Sequence, residues 1–222
     1  MILLEKGEVF NFEGAIRGMR NPMNSWDKSD SNWFDGDYVV GPNDIDLMHR
    51  LCKSGSDHRK FMRMLHVSMD IDAPLYWWKE FDTYKVGTTS NSCSTMHKIH
   101  SKEFTLDDFS HDQLHDQGHN HSPIVYGCYK LTPRGVLNLL IGVLNGERKK
   151  YLETKDKLYW RNMIELLPSS YNQLRTIDLN YENLHNIYHA RKSHKLTEWH
   201  TLCDAIEKLP HSELITAKEF EL

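Results

Sequence analysis

The chain has 222 residues, of which 39% are hydrophobic and 26% charged, and a formal net charge of −4. These values describe one folded domain with excursions, and exclude a disordered chain. The negative balance also excludes a general electrostatic attraction to nucleic acid or to anionic membranes, although Arg148, Lys149 and Lys150 form a local basic run.

Six Trp, ten Tyr and eight Phe supply large rigid surfaces for a core. The four cysteines, Cys52, Cys93, Cys128 and Cys203, form no C-x-x-C pair, so reduced and mostly buried thiols are expected. The opening MILLEKGEVF has too short an apolar run for a signal peptide. The longest apolar run, Val136 to Leu144, is interrupted by Asn138 and Gly142 and falls short of a membrane span. A cytoplasmic protein is expected, with no nucleic-acid or membrane partner.

In chain order, weak alternation from Ile2 to Phe10 predicts a strand, and Phe12 to Met19 a short helix or turn ended by Asn21-Pro22. Residues 23 to 43 have the composition of a surface loop with aromatic anchors. Ile45, Leu47, Met48 and Leu51 predict a helix from Asp44 to Cys52, with Gly55 as its stop and a short helix or bend near Asp57. Leu65, Val67, Met69 and Ile71 alternate with polar residues, the pattern of a half-buried strand that Pro74 ends. A short helix then carries the tandem Trp77 and Trp78 between Leu75 and Phe81. Lys85 to Met96 is small and polar, a composition that lets backbone approach a ligand.

Residues 101 to 123 read as a polar insert containing His111, His115, His119 and His121. On a helix three of these would share a face and suit zinc, but Gly118 and the surrounding Asp, Gln and Asn favour a solvated loop, and no metal site is assigned. A helix of about four turns follows Pro133, and another fits residues 155 to 166 until Leu167-Pro168 breaks it. Leu184, Ile187, Tyr188 and Arg191 predict a helix from about Asp178 to Arg191. Ser193 is a candidate N-cap for the next helix, where Leu196, Trp199, Cys203 and Ile206 recur.

No G-x-S-x-G elbow, P-loop or G-x-G-x-x-G fingerprint is present, and no cysteine has an activating context. Two polar clusters remain, residues 82 to 97 and residues 180 to 199. The second mixes helical spacing with Asn180, Asn186 and His194, neutral hydrogen-bonding groups where a plain surface helix would carry Glu and Lys.

The two clusters together resemble the flavin-dependent thymidylate synthases. That family carries a pattern close to L-P-x(11)-N-x(3)-L-x-N-x(4)-R, then S-H and a helix with a glutamate. Leu167-Pro168, Asn180, Leu184, Asn186, Arg191, Ser193-His194 and Glu198 follow it, without a gap as far as the arginine. The family's other motif reads A-P, then R-Q-W-F-R-H-R-x-x-S-x-N-E-x-S-x-R-Y. Here Ala73-Pro74 places Lys79, Glu80, Thr83, Tyr84 and Lys85 at its R, Q and R-H-R positions, and one inserted residue aligns Asn91 and Ser94.

The resemblance implies an α/β fold of α+β type, residues 1–222 forming a single domain with a mostly antiparallel sheet flanked by helices. It also implies a homotetramer with FAD sites between subunits. The implied reaction is reductive methylation of dUMP to dTMP, with methylenetetrahydrofolate and NADPH as co-substrates. Arg191 would be the catalytic residue, meeting the uracil carbonyl side and stabilising developing negative charge. Glu80, Ser94, Arg191 and Arg161 would bind substrate, and Thr83, Tyr84, Lys85, Asn91, Asn180, Asn186 and His194 the cofactor. Asn side chains both donate and accept, which suits the rim of a flat heterocycle.

The departures fall on the phosphate end of the substrate. Met96 and Ile164 stand where the family has arginines, and each lost charge-assisted bond is worth roughly 1.5–3 kcal/mol. Arg161 and Lys98 are the nearest replacements, and Glu80 in place of glutamine allows a different base. Two alternatives therefore stand beside the synthase: flavin-dependent modification of another pyrimidine nucleotide, and a non-catalytic flavin- or nucleotide-binding homologue.

Overall fold

The computed structural model describes residues 2–114, 124–126 and 129–217. The N-terminal strand β1 (Leu3–Phe10) leads into helix α1 (Phe12–Arg20), and a short 3-10 turn over Asn21–Met23 ends it where Pro22 was expected to act. Helix α2 (Pro42–Lys53) starts on Pro42, whose missing N–H costs nothing in a first turn. Gly55, with φ +98°, reverses the chain behind it. Strand β4 (His66–Pro74) buries Val67, Met69, Ile71 and Ala73 while His66, Ser68, Asp70 and Asp72 face the other way, the expected alternation. Helix α3 (Leu75–Phe81) follows at once. Its Trp77 and Trp78 are fully buried and meet edge to face, with ring centroids 4.9 Å apart.

Further on come β5 (Thr89–Ser92), α4 (Thr95–Lys98), β6 (Ile124–Tyr126) and β7 (Tyr129–Leu131). The long α5 (Pro133–Thr154), α6 (Lys157–Leu166), β8 (Asn172–Asn180), α7 (Tyr181–Arg191), α8 (Thr197–Ile206) and α9 (Glu213–Thr216) complete the chain. The four-stranded sheet has the order β1-β4-β8-β5. The fold is an antiparallel sheet flanked by helices, as expected.

Contacts divide the described residues into two compact units. One comprises residues 2–3, Asp72–Asp82 and the described part of Ser92–Arg175; the other comprises Leu4–Ile71, Thr83–Asn91 and residues 176–217. In the first, Ile99, Phe104, Phe109, Leu137, Leu144 and Met163 form a core on which α5 and α6 lie. In the second, Ile16, Met48, Met62, Leu184, Ile187, Trp199, Leu202 and Ile215 are among the buried residues.

Six expectations need correction. Residues 23 to 43 are more than a loop: β2 (Asn32–Phe34) and β3 (Asp37–Val39) pair antiparallel across Asp35-Gly36, which hold the positive φ values of a tight hairpin turn. The segment from 85 to 96 contains β5 and the start of α4. The described part of the polar insert is not wholly solvated, because Phe104 and Phe109 are buried; His115, His119 and His121 lie outside the described residues. Asp178 to Asn180 belong to a strand, so α7 begins only at Tyr181. Ser193 caps nothing: α8 starts at Thr197 behind Leu196, without a side-chain cap. Cys52 is half-buried and Cys203 buried, whereas Cys93 is exposed, so the thiols are less uniformly buried than expected.

Candidate functional site

Eight of the candidate residues lie in the second unit: Thr83, Tyr84, Lys85, Asn91, Asn180, Asn186, Arg191 and His194. Helix α7 and the segment 83–91 bring several of them together. Asn180 ends β8 with an extended backbone, and its Oδ1 accepts from Asn183 N at 3.0 Å. Asn183 Oδ1 returns the favour to Asn180 N, a reciprocal cap that satisfies two orphan donors of the helix start. Asn183 Nδ2 then donates to Val86 O at 2.7 Å, which ties the polar segment to the helix.

Gly87 sits in that contact with φ +71°; a Cβ there would come within 3.0 Å of Asn180 Nδ2 and of Asn183 Oδ1. Only glycine combines that backbone with that approach. Beside it, Thr88 Oγ1 is buried with no hydrogen-bond partner among the described residues. A buried hydroxyl without a partner marks a place where a ligand atom or water is expected.

At the far end of α7, about 12 Å along the axis from Asn183, Arg191 is half-buried. Its Nε donates to Tyr84 Oη at 2.9 Å. Its guanidinium carbon lies 4.6 Å from the centroid of the Trp199 ring and 5.6 Å from that of Tyr84. The two rings meet nearly edge to face, 6.2 Å apart. The segment 84–87 thus runs along α7 from its arginine end to its capped end.

His194 stands beside this cluster, its ring 6.3 Å from that of Trp199. Its backbone N–H donates to Arg191 O, and its Nδ1 accepts from Leu196 N, an arrangement that assigns the proton of the neutral ring to Nε2. Asn186 is exposed on α7, Asn91 is exposed on β5, and Thr83 is exposed just before Tyr84. Lys85 is exposed and makes no ion pair among the described residues.

The remaining three candidates, Glu80, Ser94 and Arg161, lie in the first unit. Ser94 caps α4: its Oγ accepts from His97 N at 3.1 Å and lies 2.8 Å from His97 Nδ1. It lines a cleft of ≈ 630 Å³ together with Asp72, Thr95, Lys98, Lys102 and Asn172. Lys102 pairs with Asp108, whereas burial pushes the Asp72 carboxyl up from its ordinary value. Asn172 Oδ1 is buried there without a hydrogen-bond partner among the described residues. Arg161 is exposed on α6 and pairs with Glu165 at 2.6 Å, one turn further on. Its neighbour Trp160 donates from Nε1 to Met96 O, which brings α6 beside the turn carrying Ser94. Glu80 is half-buried on α3.

Trp199, Gly87, Thr88 and Asn183 are the residues that sequence reasoning missed. Burial works against thiolate formation at two cysteines, pushing Cys52 up to about 12 and Cys203 up to about 11. No group of three or more His, Cys, Asp and Glu suited to a metal ion occurs among the described residues. Nor is any described helix long and apolar enough to cross a membrane.

No protein-family model matches the sequence, and no curated protein matches it. Solved structures do. A flavin-dependent thymidylate synthase, ThyX of Helicobacter pylori in complex with FAD and dUMP, superposes with a TM-score of 0.64 at 17% identity, over 97% of this chain and 96% of that one. Another structure of that enzyme with FAD and dUMP gives 0.63 at 16%, over 97% and 95%. A UMP/dUMP methylase, PolB of Streptomyces cacaoi bound to 5-Br dUMP, gives 0.59 at 15%, over 93% and 88%. The chain therefore has the fold of the flavin-dependent thymidylate synthases along nearly its whole length.

Proposed function

We propose that this chain is a divergent flavin-dependent thymidylate synthase, which converts dUMP to dTMP with methylenetetrahydrofolate and NADPH as co-substrates and FAD as cofactor. One observation carries the reading: Arg191 is held against Tyr84, 107 positions away, so the 83–91 part of the first polar cluster folds onto the second at a fixed guanidinium. The fold is that of enzymes crystallised with FAD and dUMP.

The donor set suits a flavin. Thr88 Oγ1 offers an unused hydroxyl, and the glycine at 87 keeps the backbone beside it low. Asn186, Asn91, Thr83 and the Nε2–H of His194 supply neutral donors and acceptors for the cofactor's rim and ribityl hydroxyls. Lys85 is placed to meet a phosphate as a point charge. Asn180 has a more limited part, since its Oδ1 is committed to the helix cap and only its Nδ2 edge reaches Gly87. When bound in reduced form, the flavin supplies the hydride of the reductive step.

The chain's own work is binding and charge placement. The Arg191 guanidinium faces the carbonyl side of the pyrimidine, where negative charge develops. Ser94 and Lys98 take the phosphate end, and Glu80 meets an N–H of the base. Arg161 enters that reading as a longer-range cation, since its carboxylate partner is exposed and the pair exchanges readily with solvent. The sites form in a homotetramer, for which the exposed apolar stripe Val136, Leu139 and Val143 on α5 offers a subunit contact.

A second reading, action on another pyrimidine nucleotide, is favoured by Asn172. Its buried Oδ1 lacks a donor in the cleft that holds Ser94, and a ribose 2′-hydroxyl supplies one where deoxyribose has none. The deciding experiment takes the visible spectrum of purified protein and then follows NADPH oxidation with methylenetetrahydrofolate and either dUMP or UMP. Flavin absorbance with dTMP formed from dUMP supports the first reading. Bound flavin with turnover of UMP alone supports the second. Colourless protein that takes up no FAD removes both.

A further inference from the structure

Arg191 is the C-terminal residue of α7, where a long side chain would ordinarily sample many rotamers. Two contacts oppose that freedom. Trp199, fully buried on α8, presents its ring face to the guanidinium carbon at 4.6 Å. Tyr84 Oη accepts from Nε at 2.9 Å, a bond that fixes rotation about the axis the ring leaves open. The Trp199 face sets the height of the cation and the phenol sets its heading. His194 and Tyr84 both lie edge-on to Trp199, so two rings pack against the indole itself.

We infer that Trp199 and Tyr84 are positioning residues that fix the plane and direction of the Arg191 guanidinium before a nucleotide arrives. This assigns Tyr84 to the arginine first and to the cofactor second. Ordering the cation in advance means that binding does not have to freeze it, which raises affinity without any new contact to the ligand. The inference rests on the proposed nucleotide reading for its consequence, but its geometry is independent of any ligand. An indole also tolerates a cation that is partly desolvated, because the ring quadrupole replaces lost hydration.

The test has two arms. Without ligand, the Arg191 Nε–H resonance in proton–nitrogen spectra should be shifted by the ring current and slow to exchange in the wild type. It should move to the bulk arginine position in Trp199→Leu and stay near its wild-type position in Trp199→Phe. With dUMP titrated calorimetrically into FAD-loaded protein, Trp199→Leu should bind about tenfold more weakly, about 1.4 kcal/mol, and Trp199→Phe should recover most of the loss. In turnover, KM for dUMP should rise more than kcat falls. Should Trp199→Leu fail to fold by circular dichroism, Tyr84→Phe removes only the acceptor oxygen, and should still expose the resonance and weaken binding a fewfold. An Nε–H that exchanges freely in the wild type overturns the inference. So does equal dUMP affinity in wild type and both variants. A wild type that binds no dUMP yet shows the protected resonance overturns the nucleotide reading and leaves the positioning role standing.

Discussion

Arg59 holds His185 in a single tautomer. The guanidinium grips Glu182 through Nε and Nη2, at 2.9 and 3.1 Å, and turns Nη1 toward His185 Nε2 at 3.0 Å. An arginine can only donate, so that imidazole nitrogen accepts, and the proton resides on Nδ1, which bonds Ile215 O at 2.8 Å. His189 Nε2 lies 3.2 Å from the same carbonyl, and its ring stands 4.4 Å from that of His185. His185 and His189 thus anchor the C-terminal turn α9 on α7 through one carbonyl.

Protonating His185 would oppose two donors at Arg59, so stability should depend on pH. Burial lowers the folded pKa of His185 from its ordinary value against the bond to Ile215 O, which raises it; Arg59 and the neighbouring His189 add to the lowering, and Glu182 opposes it. Burial lowers that of His49 likewise, Glu213 opposing and Lys53 and His211 assisting. A histidine lowered on folding contributes stability that is complete above the unfolded pKa and fades as pH falls through it. Unfolding free energy should therefore decline from pH 7 toward pH 5, by at most about 1.4 kcal/mol per pH unit for each such group. Urea unfolding across that range measures it. His185→Gln should flatten the profile, and a wild-type profile that is flat or rising on acidification would contradict the anchoring.

Gly87 gives a sharper prediction. Alanine at 87 must accept φ +71° and crowd Asn180 Nδ2 and Asn183 Oδ1 at 3.0 Å. The left-handed backbone alone costs about 1–2 kcal/mol. Because Val86 O accepts from Asn183, the same shift should disturb Tyr84, three residues earlier, and so the heading of Arg191. The variant should melt several degrees lower and bind dUMP more weakly, as thermal denaturation and calorimetry would read. An unchanged melt would show that segment 83–91 is not pinned to α7.

Asp44 predicts a larger loss. It is fully buried beside Arg20, 2.6 Å from its Nε, and accepts from Ser29 and Ser31 hydroxyls at 2.7 and 2.6 Å. Burial disfavours its charge, but the bonds from Ser31, Ser29 and Arg20 outweigh it and hold the carboxyl below its ordinary value. Asp44→Asn leaves the buried guanidinium uncompensated, a change worth about 3–5 kcal/mol. Chemical denaturation should show that fall; a loss under about 1 kcal/mol would mean that water reaches the pair.

Much of the fold was legible because periodicity wrote it twice, in pattern and in punctuation. Strand β4 alternates and stops at Pro74, and α3 places both tryptophans inward. Strand β8 escaped for a physical reason: it buries Gln173, whose amide donates to Cys93 O at 2.8 Å, and exposes Leu174, which inverts the pattern an observer looks for. The β2–β3 hairpin was readable from Asp35-Gly36 alone. Of the candidate site, the amides and Arg191 could be singled out, and a family resemblance was needed to join them to residues 83–91. Nothing in the spacing of Arg191 and Trp199 reveals their contact, because the turn between α7 and α8 belongs to neither period.

The proposed homotetramer predicts that α5 is covered in solution. Val136, Leu139 and Val143 recur at helical steps and are exposed, Leu139 by 61%. A charge at that centre would be desolvated without a partner on assembly, a penalty of several kcal/mol. Leu139→Glu should therefore shift the mass measured by light scattering toward smaller species, with the helical content unchanged. A wild type already monomeric, or a variant of unaltered mass, would remove α5 from the interface.

The strongest demand falls on Arg191 itself. Lysine keeps the charge but has one nitrogen at the tip, no planar face to lay on Trp199, and no Nε–H to give Tyr84. If position 191 serves only as a cation, Arg191→Lys should bind dUMP nearly as the wild type does. If the planar fork is what the nucleotide meets, affinity should fall at least about tenfold, or 1.4 kcal/mol, with FAD content preserved. Calorimetry on the FAD-loaded variant separates the two outcomes, and the flavin spectrum on adding dUMP checks the result independently, since a nucleotide seated against the ring perturbs its absorbance only when bound. Near-wild-type affinity with a near-wild-type spectral change would reduce Arg191 from a shaped donor to a point charge.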